Sequence, residues 1–219
     1  MFLGHFAAGL AAKKLTPYTS LGTLLLSAQL LDLIWPTLVA AGIEQVRIAP
    51  GITRVTPLEF VHYPWSHSLL MAAVWALALA GVYTFFRRYP RGAGVVVALV
   101  LSHWVLDLVS HRADLPLVPG GGPLVGLGLW YSMPATLIVE GLLFAVGLHI
   151  YTTNTEPLGK TGSRALIAFA LLLLAIYGMN LFGPPPPSVE AIAVMGHAQW
   201  LLVGFGYWID RHRVAIRQW

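Results

Sequence analysis

The sequence predicts an all-α membrane protein, a polytopic bundle of about six transmembrane helices plus a short N-terminal half-helix. Of its 219 residues, 57% are hydrophobic and only 10% are charged, whereas soluble domains carry about 25% charged residues. The mean hydropathy is +0.72. The apolar residues form runs of roughly 20 residues, the length that a bilayer core of about 30 Å requires. We therefore expect a single membrane domain over residues 1–219.

Six apolar segments are long enough to span a bilayer, and the N-terminal run is too short to do so. Residues 1–12 would reach only about 18 Å as a helix, so we expect a half-spanning or interfacial helix packed on the others. Pro36 is expected to kink the first span. Small and polar residues interrupt the last span. The predicted spans are 20–43, 66–86, 92–110, 131–151, 163–182 and 189–209.

The connecting segments carry recognisable breaker residues. Residues 44–60 mix Val and Ile with Pro, Gly and Thr, which predicts a small hairpin or an ordered loop outside the membrane. The run Gly-Pro-Pro-Pro-Pro at 183–187 predicts a stiff extended linker, and Pro-Gly-Gly-Gly-Pro at 119–123 predicts a loop. Pro64 is expected to break the chain before the second span, and Ser66 to cap that helix.

Loop charges predict the orientation of the chain. Basic residues gather in alternate loops, and charges roughly cancel in the loops between them. Since basic loops face the cytoplasm, we expect a cytoplasmic C-terminus and outward-facing loops at 47–62 and 111–130. The pI near 9.6 then needs no nucleic-acid partner, and membrane lipids are the expected partners. The basic loop residues are Lys13, Lys14, Arg87, Arg88, Arg91, Lys160, Arg164, Arg211, Arg213 and Arg217.

His103 and Asp107 form the most informative pair of polar residues inside a predicted span. The chain contains no cysteine, so a metal site must use His, Asp or Glu. Residues four apart share one helix face, which suits two ligands of one metal, or a metal-bound imidazole with its orienting carboxylate. A buried His–Asp hydrogen bond between helices would produce the same pattern, so the pair alone leaves both interpretations open.

Other polar residues fall at a similar depth. His62 and His67 flank the entry to the second span, where a loop-to-helix junction can aim two imidazoles at one point; interfacial anchoring is the alternative. Asp32 lies about 18 Å above the cytoplasmic start of its helix, and His103 and Asp107 about 16 and 22 Å above theirs. The predicted topology therefore places these groups in the outer half of the membrane.

Two further intramembrane residues have less specific interpretations. Glu140, near the middle of the fourth span, suits pairing with a neighbouring helix, support of a metal ligand, or proton transfer. His197 suits an interhelical hydrogen bond, and it is the best ligand here for haem or chlorophyll.

The order of the polar residues resembles the membrane-bound metal-dependent hydrolases, bacterial inner-membrane proteins also labelled LexA-binding. That family shows His-x-x-x-Gly, then Pro-Asp-x-Asp, then His-Arg-Gly-x-Thr-His-Ser, then His-x-x-x-Asp. The step of five residues from one histidine to the next, followed by serine, is the most specific element. The matching residues, over 1–111, are His5, Gly9, Asp32, His62, His67, Ser68, His103 and Asp107.

Two motifs depart from the family pattern. Tyr63 and Pro64 replace the Arg and Gly of the third motif, and Gln-Leu-Leu-Asp at 29–32 keeps one acid where two are expected. A lost carboxylate implies a weaker metal site, or one metal where the family would hold two. Residues 112–219 contribute additional transmembrane helices and no motif that we can assign.

The resemblance and the shared depth together predict a metal-dependent hydrolase of the bacterial inner membrane, acting on a lipid or a lipid-linked ester or phosphodiester. His62 and Asp107 are the predicted catalytic residues. Zinc is the expected divalent metal, because imidazole and carboxylate ligands without sulfur suit it. The alternative is a non-catalytic subunit of a membrane protein complex, with or without pigment or haem. The predicted metal ligands are His5, Asp32, His67, His103 and Asp107.

Overall fold

The computed structural model describes residues 1–216 and confirms the predicted helical membrane bundle; Arg217 lies outside the described residues. Five helical segments are long and apolar enough to cross a membrane, and a bent pair makes up to six. The α-helices are α1 Phe2–Ala11, α2 Leu21–Ala28, α3 Leu30–Ala40, α4 Pro64–His67, α5 Leu69–Arg87, α6 Pro90–Ser110, α7 Met133–Thr153, α8 Lys160–Phe182, α9 Val189–His197 and α10 Gln199–Asp210.

The long helices expose apolar side chains of a kind that a soluble protein would bury. Leu77 on α5, Leu142 on α7 and Leu171 on α8 are each more than 60% exposed. Such surfaces are stable against acyl chains and would aggregate in water. The exposed apolar faces therefore support the membrane assignment independently of composition.

The first span bends at Gln29, seven residues before Pro36, where the sequence predicted a kink. Helices α2 and α3 meet at 56° across Gln29, while α3 continues as a helix through Pro36. Pro36 packs closely on Gly196 of α9. The bend places Asp32 in the first turn of α3.

Helix α1 is the predicted half-helix, and it packs inside the bundle. Its 10 residues correspond to about 15 Å. It contacts α7, α2 and α6, and a Cβ at Gly147 of α7 would lie only 2.6 Å from the Ala7 carbonyl oxygen. This close approach explains why glycine is needed at position 147. The packing holds His5, on α1, within the bundle, where it is 1% exposed.

Short strands lie in the connections. The predicted hairpin is confirmed: β1 Gln45–Ile48 pairs antiparallel with β2 Leu58–His62. Two smaller antiparallel pairs join β3 Leu115–Pro116 to β4 Leu124–Val125, and β5 Thr155–Pro157 to β6 Arg213–Ala215.

The cap of α5 differs from the prediction. Ser68, and not Ser66, accepts the hydrogen bond from the Met71 amide at 3.2 Å. The reason is that α4 occupies residues 64–67, so the long helix starts one turn later than the sequence suggested. Ser66 is thereby available for another role.

Candidate metal centre

Four separate stretches of the chain bring the five predicted ligands together. Asp107 lies at the centre: its Oδ1 is 3.1 Å from His5 Nε2, and its Oδ2 is 3.1 Å from His103 Nε2 and 3.8 Å from His67 Nε2. Asp32 Oδ1 lies 3.4 Å from His67 Nε2 and 3.7 Å from His103 Nε2. Helices α1, α3, α4 and α6 thus each contribute a side chain to one cluster.

The hydrogen bond of His103 leaves its second nitrogen available as a ligand. Nδ1 lies 2.7 Å from the carbonyl oxygen of Ala28, which can only accept, so Nδ1 carries a proton and donates. In the neutral ring Nε2 then holds a lone pair. Nε2 is buried and, although it lies 3.1 Å from Asp107 Oδ2, it makes no well-aligned hydrogen bond among residues 1–216. A cation bound at Nε2 would also lie beside the carboxylates of Asp32 and Asp107.

His67 is oriented by a relay through Ser66 and Glu44. Ser66 Oγ donates to Glu44 Oε2 at 2.6 Å and therefore accepts from His67 Nδ1 at 2.7 Å. Glu44 also accepts from the amides of Trp65 and Ser66, both at 2.8 Å. The proton on Nδ1 leaves the lone pair on Nε2, which faces Asp32 and Asp107. A chain from carboxylate to histidine of this kind fixes the tautomer and orientation of metal-binding imidazoles.

The buried carboxylate of Asp107 lies beside the positive charge of the Met1 amino group. Its carboxylate is 2% exposed, and the Met1 amino group lies 2.6 Å from Oδ1 and 3.1 Å from His5 Nε2. The rings of His5 and His103 stack in parallel with centroids 3.6 Å apart. Two stacked imidazolium ions would repel each other, so the stack favours at most one protonated ring.

The geometry and the donor set fit a divalent metal. A tetrahedral ion with ligands at about 2.0–2.1 Å holds ligand atoms about 3.3 Å apart. Two sets of three residues offer ligand atoms that lie within 4.8 Å of one another inside each set, and His103 belongs to both sets. Imidazole nitrogen and carboxylate oxygen without sulfur suit zinc. The residues of the sets are His5, His103 and Asp107 in one, and Asp32, His67 and His103 in the other.

A cavity of about 470 Å³ reaches the cluster. Asp32, His67 and Asp107 line it at one end, and Arg54 and Thr56 of the β1–β2 loop line it elsewhere. Its volume lies in the range of small-molecule sites. The carboxylate of Asp32 is 29% exposed, so the cluster is open to a molecule in this cavity.

A second polar group forms part of the cavity wall. The Tyr63 hydroxyl donates to Asp114 Oδ1 at 3.1 Å, and the same oxygen lies 3.1 Å from Nδ1 of His111, a cavity-lining residue. Burial, with the Asp114 carboxylate beside it, raises the pKa of Tyr63 well above its usual value. Tyr63 is therefore a neutral hydrogen-bond donor that holds this wall in place.

His62 lies apart from the cluster. It is exposed on β2 opposite Gln45, and it is not a member of either set of metal-ligating atoms. His62 lies at the end of β2 and His67 at the end of α4. The strand-to-helix junction between them separates the two imidazoles. The predicted catalytic role of His62 stays a prediction that its position does not support.

Glu140 and His197 make specific contacts between helices. Glu140 Oε2 accepts from the Leu3 amide at 2.7 Å, so a carboxylate in α7 caps the start of α1 and satisfies a first-turn donor inside the bundle. His197 Nδ1 lies 2.7 Å from the Ala193 carbonyl, and Nε2 lies 3.0 Å from Thr37 Oγ1. A haem iron on His197 would have to displace the contact with Thr37.

Sequence reasoning missed three contributors to the site. Glu44 lies 22 residues before Ser66 in an outer loop, so no spacing connects the two. The Ala28 carbonyl depends on a bend that no proline or glycine marks. Ser66 was assigned to helix capping. The contacts of Glu44 with Ser66 and of Ala28 with His103 are distant in sequence, and neither spacing nor periodicity reveals them.

Comparison with known proteins identifies a family for most of the chain. The model of one family, described as YdjM inner membrane protein, matches residues 1–185. The match extends beyond the motifs at 1–111 and includes α7 and α8. Neither the search of curated proteins nor the search of solved structures gave a match.

Proposed function

The chain belongs to the YdjM inner membrane protein family, and we propose that it is a metal-dependent hydrolase acting within the bacterial inner membrane. The observation that carries the proposal is the buried His103 Nε2, which lies 3.1 Å from Asp107 and 3.7 Å from Asp32 without a well-aligned hydrogen bond in the described residues. A purely structural histidine would be expected to use both nitrogens.

His5, Asp32, His67, His103 and Asp107 would hold one divalent ion. When bound, such an ion supplies the Lewis acidity that activates water and polarises an ester or phosphoryl oxygen. The protein's own groups orient the ligands: Ala28 fixes His103, and the Glu44–Ser66 relay fixes His67. No catalytic role is assigned to His62.

A lipid or lipid-linked ester or phosphodiester is the proposed substrate class. The cavity lies among membrane-spanning helices, and the loops that cover it form the face opposite the basic loops. Positive loops favour the cytoplasm, so the topology supports a site in the outer half of the membrane and a cytoplasmic C-terminus. A substrate carried by the bilayer would reach such a site without crossing water.

Metal content and activity test the proposal together. Protein purified in detergent without chelator should contain close to stoichiometric zinc, and the double variant His67→Ala/His103→Ala should contain almost none. In lipid nanodiscs, the wild type should hydrolyse a fluorogenic lipid ester or phosphodiester, lose activity on chelation and regain it with zinc. His197→Ala, which removes a satisfied histidine, should behave as the wild type.

Two outcomes would contradict the proposal in different ways. A well-folded protein without metal would exclude the metal-dependent hydrolase and favour a non-catalytic subunit, particularly if the protein co-purifies with a larger membrane assembly. Stoichiometric zinc without hydrolysis of either lipid class would leave a metal site and overturn the proposed reaction.

A further inference from the structure

The outer loops contain three arginines, and Arg54 differs from the other two in having no ion-pair partner. Arg47 lies 3.7 Å from Glu59, and Arg112 lies 2.9 Å from Asp114. Within residues 1–216 Arg54 makes no salt bridge, yet it lines the cavity that reaches the metal cluster. Its charge is thus free to meet a ligand.

The loop that carries Arg54 is held in one conformation. Thr53 Oγ1 accepts from the amides of Val55 and Thr56 at 3.2 and 2.9 Å, and it donates to the Thr56 carbonyl. The Arg54 amide donates to the carbonyl of Trp130, another cavity-lining residue, at 3.0 Å. The backbone of Arg54 is therefore fixed at the cavity wall before any ligand binds.

The charges of the cavity select the sign of its ligand. Asp32, Asp107 and Glu140 bring three carboxylates to the cavity, and the Met1 amino group brings one positive charge. A divalent ion bound at the cluster would cancel the remaining two negative charges. Arg54 then leaves a net positive charge that favours an anion. A guanidinium binds phosphate or carboxylate oxygens through paired, charge-assisted hydrogen bonds.

An apolar residue at the cavity edge indicates where the hydrocarbon chain of a ligand could lie. Met179, near the end of α8, is 68% exposed and also lines the cavity. Exposed apolar residues of a membrane-spanning helix face acyl chains. The cavity therefore has a cationic side, a cluster of metal ligands and a side continuous with lipid.

We propose that the cavity takes an anionic amphiphile, whose headgroup oxygens bind Arg54 while its hydrocarbon chain lies past Met179 in the bilayer. This inference rests on the proposed function, because the metal must first neutralise the carboxylates. It narrows the substrate class from any lipid ester to amphiphiles with a negatively charged headgroup.

Three probes separate the contributions of charge and chain. Octylphosphonate is an anionic amphiphile whose phosphorus–carbon bond resists hydrolysis, methylphosphonate keeps the headgroup without the chain, and octyl glucoside keeps the chain without charge. Zinc-loaded full-length protein in nanodiscs of zwitterionic lipid is titrated with each by calorimetry. Octylphosphonate should bind about tenfold more tightly than either of the others, since charged hydrogen bonds and buried methylenes each contribute.

Two variants assign the charge to Arg54. Arg54→Gln should weaken the binding of octylphosphonate and methylphosphonate about tenfold and leave the affinity for octyl glucoside unchanged. Arg47→Gln, on the same hairpin with its charge paired to Glu59, should match the wild type. Both positions are exposed, so folding should be unaffected, and zinc content is measured in each sample.

The outcomes distinguish this inference from the proposed function. Zinc-containing protein that does not prefer octylphosphonate over octyl glucoside, or Arg54→Gln that behaves as Arg47→Gln, would overturn the inference and leave the hydrolase standing. If methylphosphonate bound as tightly as octylphosphonate, the ligand would be a free anion and the proposed amphiphile would be wrong. Protein without zinc would overturn both.

Discussion

Two intramembrane histidines, one in each half of the chain, show what separates a candidate metal ligand from a packing residue. His103 in α6 and His197 in α9 both lie 2.7 Å, through Nδ1, from a backbone carbonyl. Nε2 of His197 contacts Thr37, whereas Nε2 of His103 is buried, makes no well-aligned hydrogen bond in the described chain and faces carboxylates. The second nitrogen, and not the presence of a histidine in an apolar helix, indicates the function.

The largest difference between the two histidines is expected when each is replaced in turn. His103→Ala should lower the zinc content of purified protein at least tenfold, because the residue belongs to both ligand sets. His197→Ala should retain the metal, with a small loss of thermal stability from one hydrogen bond of about 1 kcal/mol. Equal metal loss in the two variants, measured by inductively coupled plasma mass spectrometry, would refute the distinction.

The comparison extends from the ligand to the groups that orient it. Ser66→Ala removes the acceptor of His67 Nδ1, and loss of such a partner typically lowers metal affinity about 10–100-fold. Competition with a chromophoric chelator would measure the change. Ser132→Ala, which removes the cap of α7 far from His67 in sequence, serves as a control. Unchanged zinc affinity in Ser66→Ala would mean that the relay through Glu44 does not orient the ligand.

Helix packing should affect the site without any change to a ligand. An added methyl group at Gly147 would press on the Ala7 carbonyl of α1 and displace His5, at a cost of about 1–3 kcal/mol. Gly147→Ala should therefore weaken zinc binding roughly tenfold, since about 1.4 kcal/mol corresponds to a factor of ten. Gly141→Ala on the same helix has open space around it and should have no effect. Equal zinc affinities in Gly147→Ala and Gly141→Ala would show that α1 shifts without displacing His5 from the cluster.

The smallest effect is expected at His62. The residue is exposed and outside the ligand sets, so His62→Ala should change zinc content and the rate of lipid hydrolysis by less than about twofold, the range of surface substitutions. A large loss of rate with zinc retained would restore the catalytic role that its sequence motif suggests.

The sequence predicted the spans and the depth of the cluster, because both depend on local composition and helix rise. Asp32, His103 and Asp107 were placed at one level by counting residues, and the structure brings their side chains together. The bend at Gln29 could not be predicted, since no proline or glycine marks it and the strong local signal, Pro36, lies seven residues later. Glu44 was equally hidden, because its role depends on folding an outer loop onto α4.

X-ray absorption at the zinc edge tests the central claim most directly, since it reports the atoms around the ion in the intact protein. We predict nitrogen and oxygen ligands at about 2.0–2.1 Å, with the outer-shell scattering of at least two imidazoles, and loss of that scattering in His67→Ala/His103→Ala. A spectrum of hydrated zinc with oxygen neighbours only, or an absence of zinc, would contradict the account and leave the five side chains as a helix-tying polar cluster.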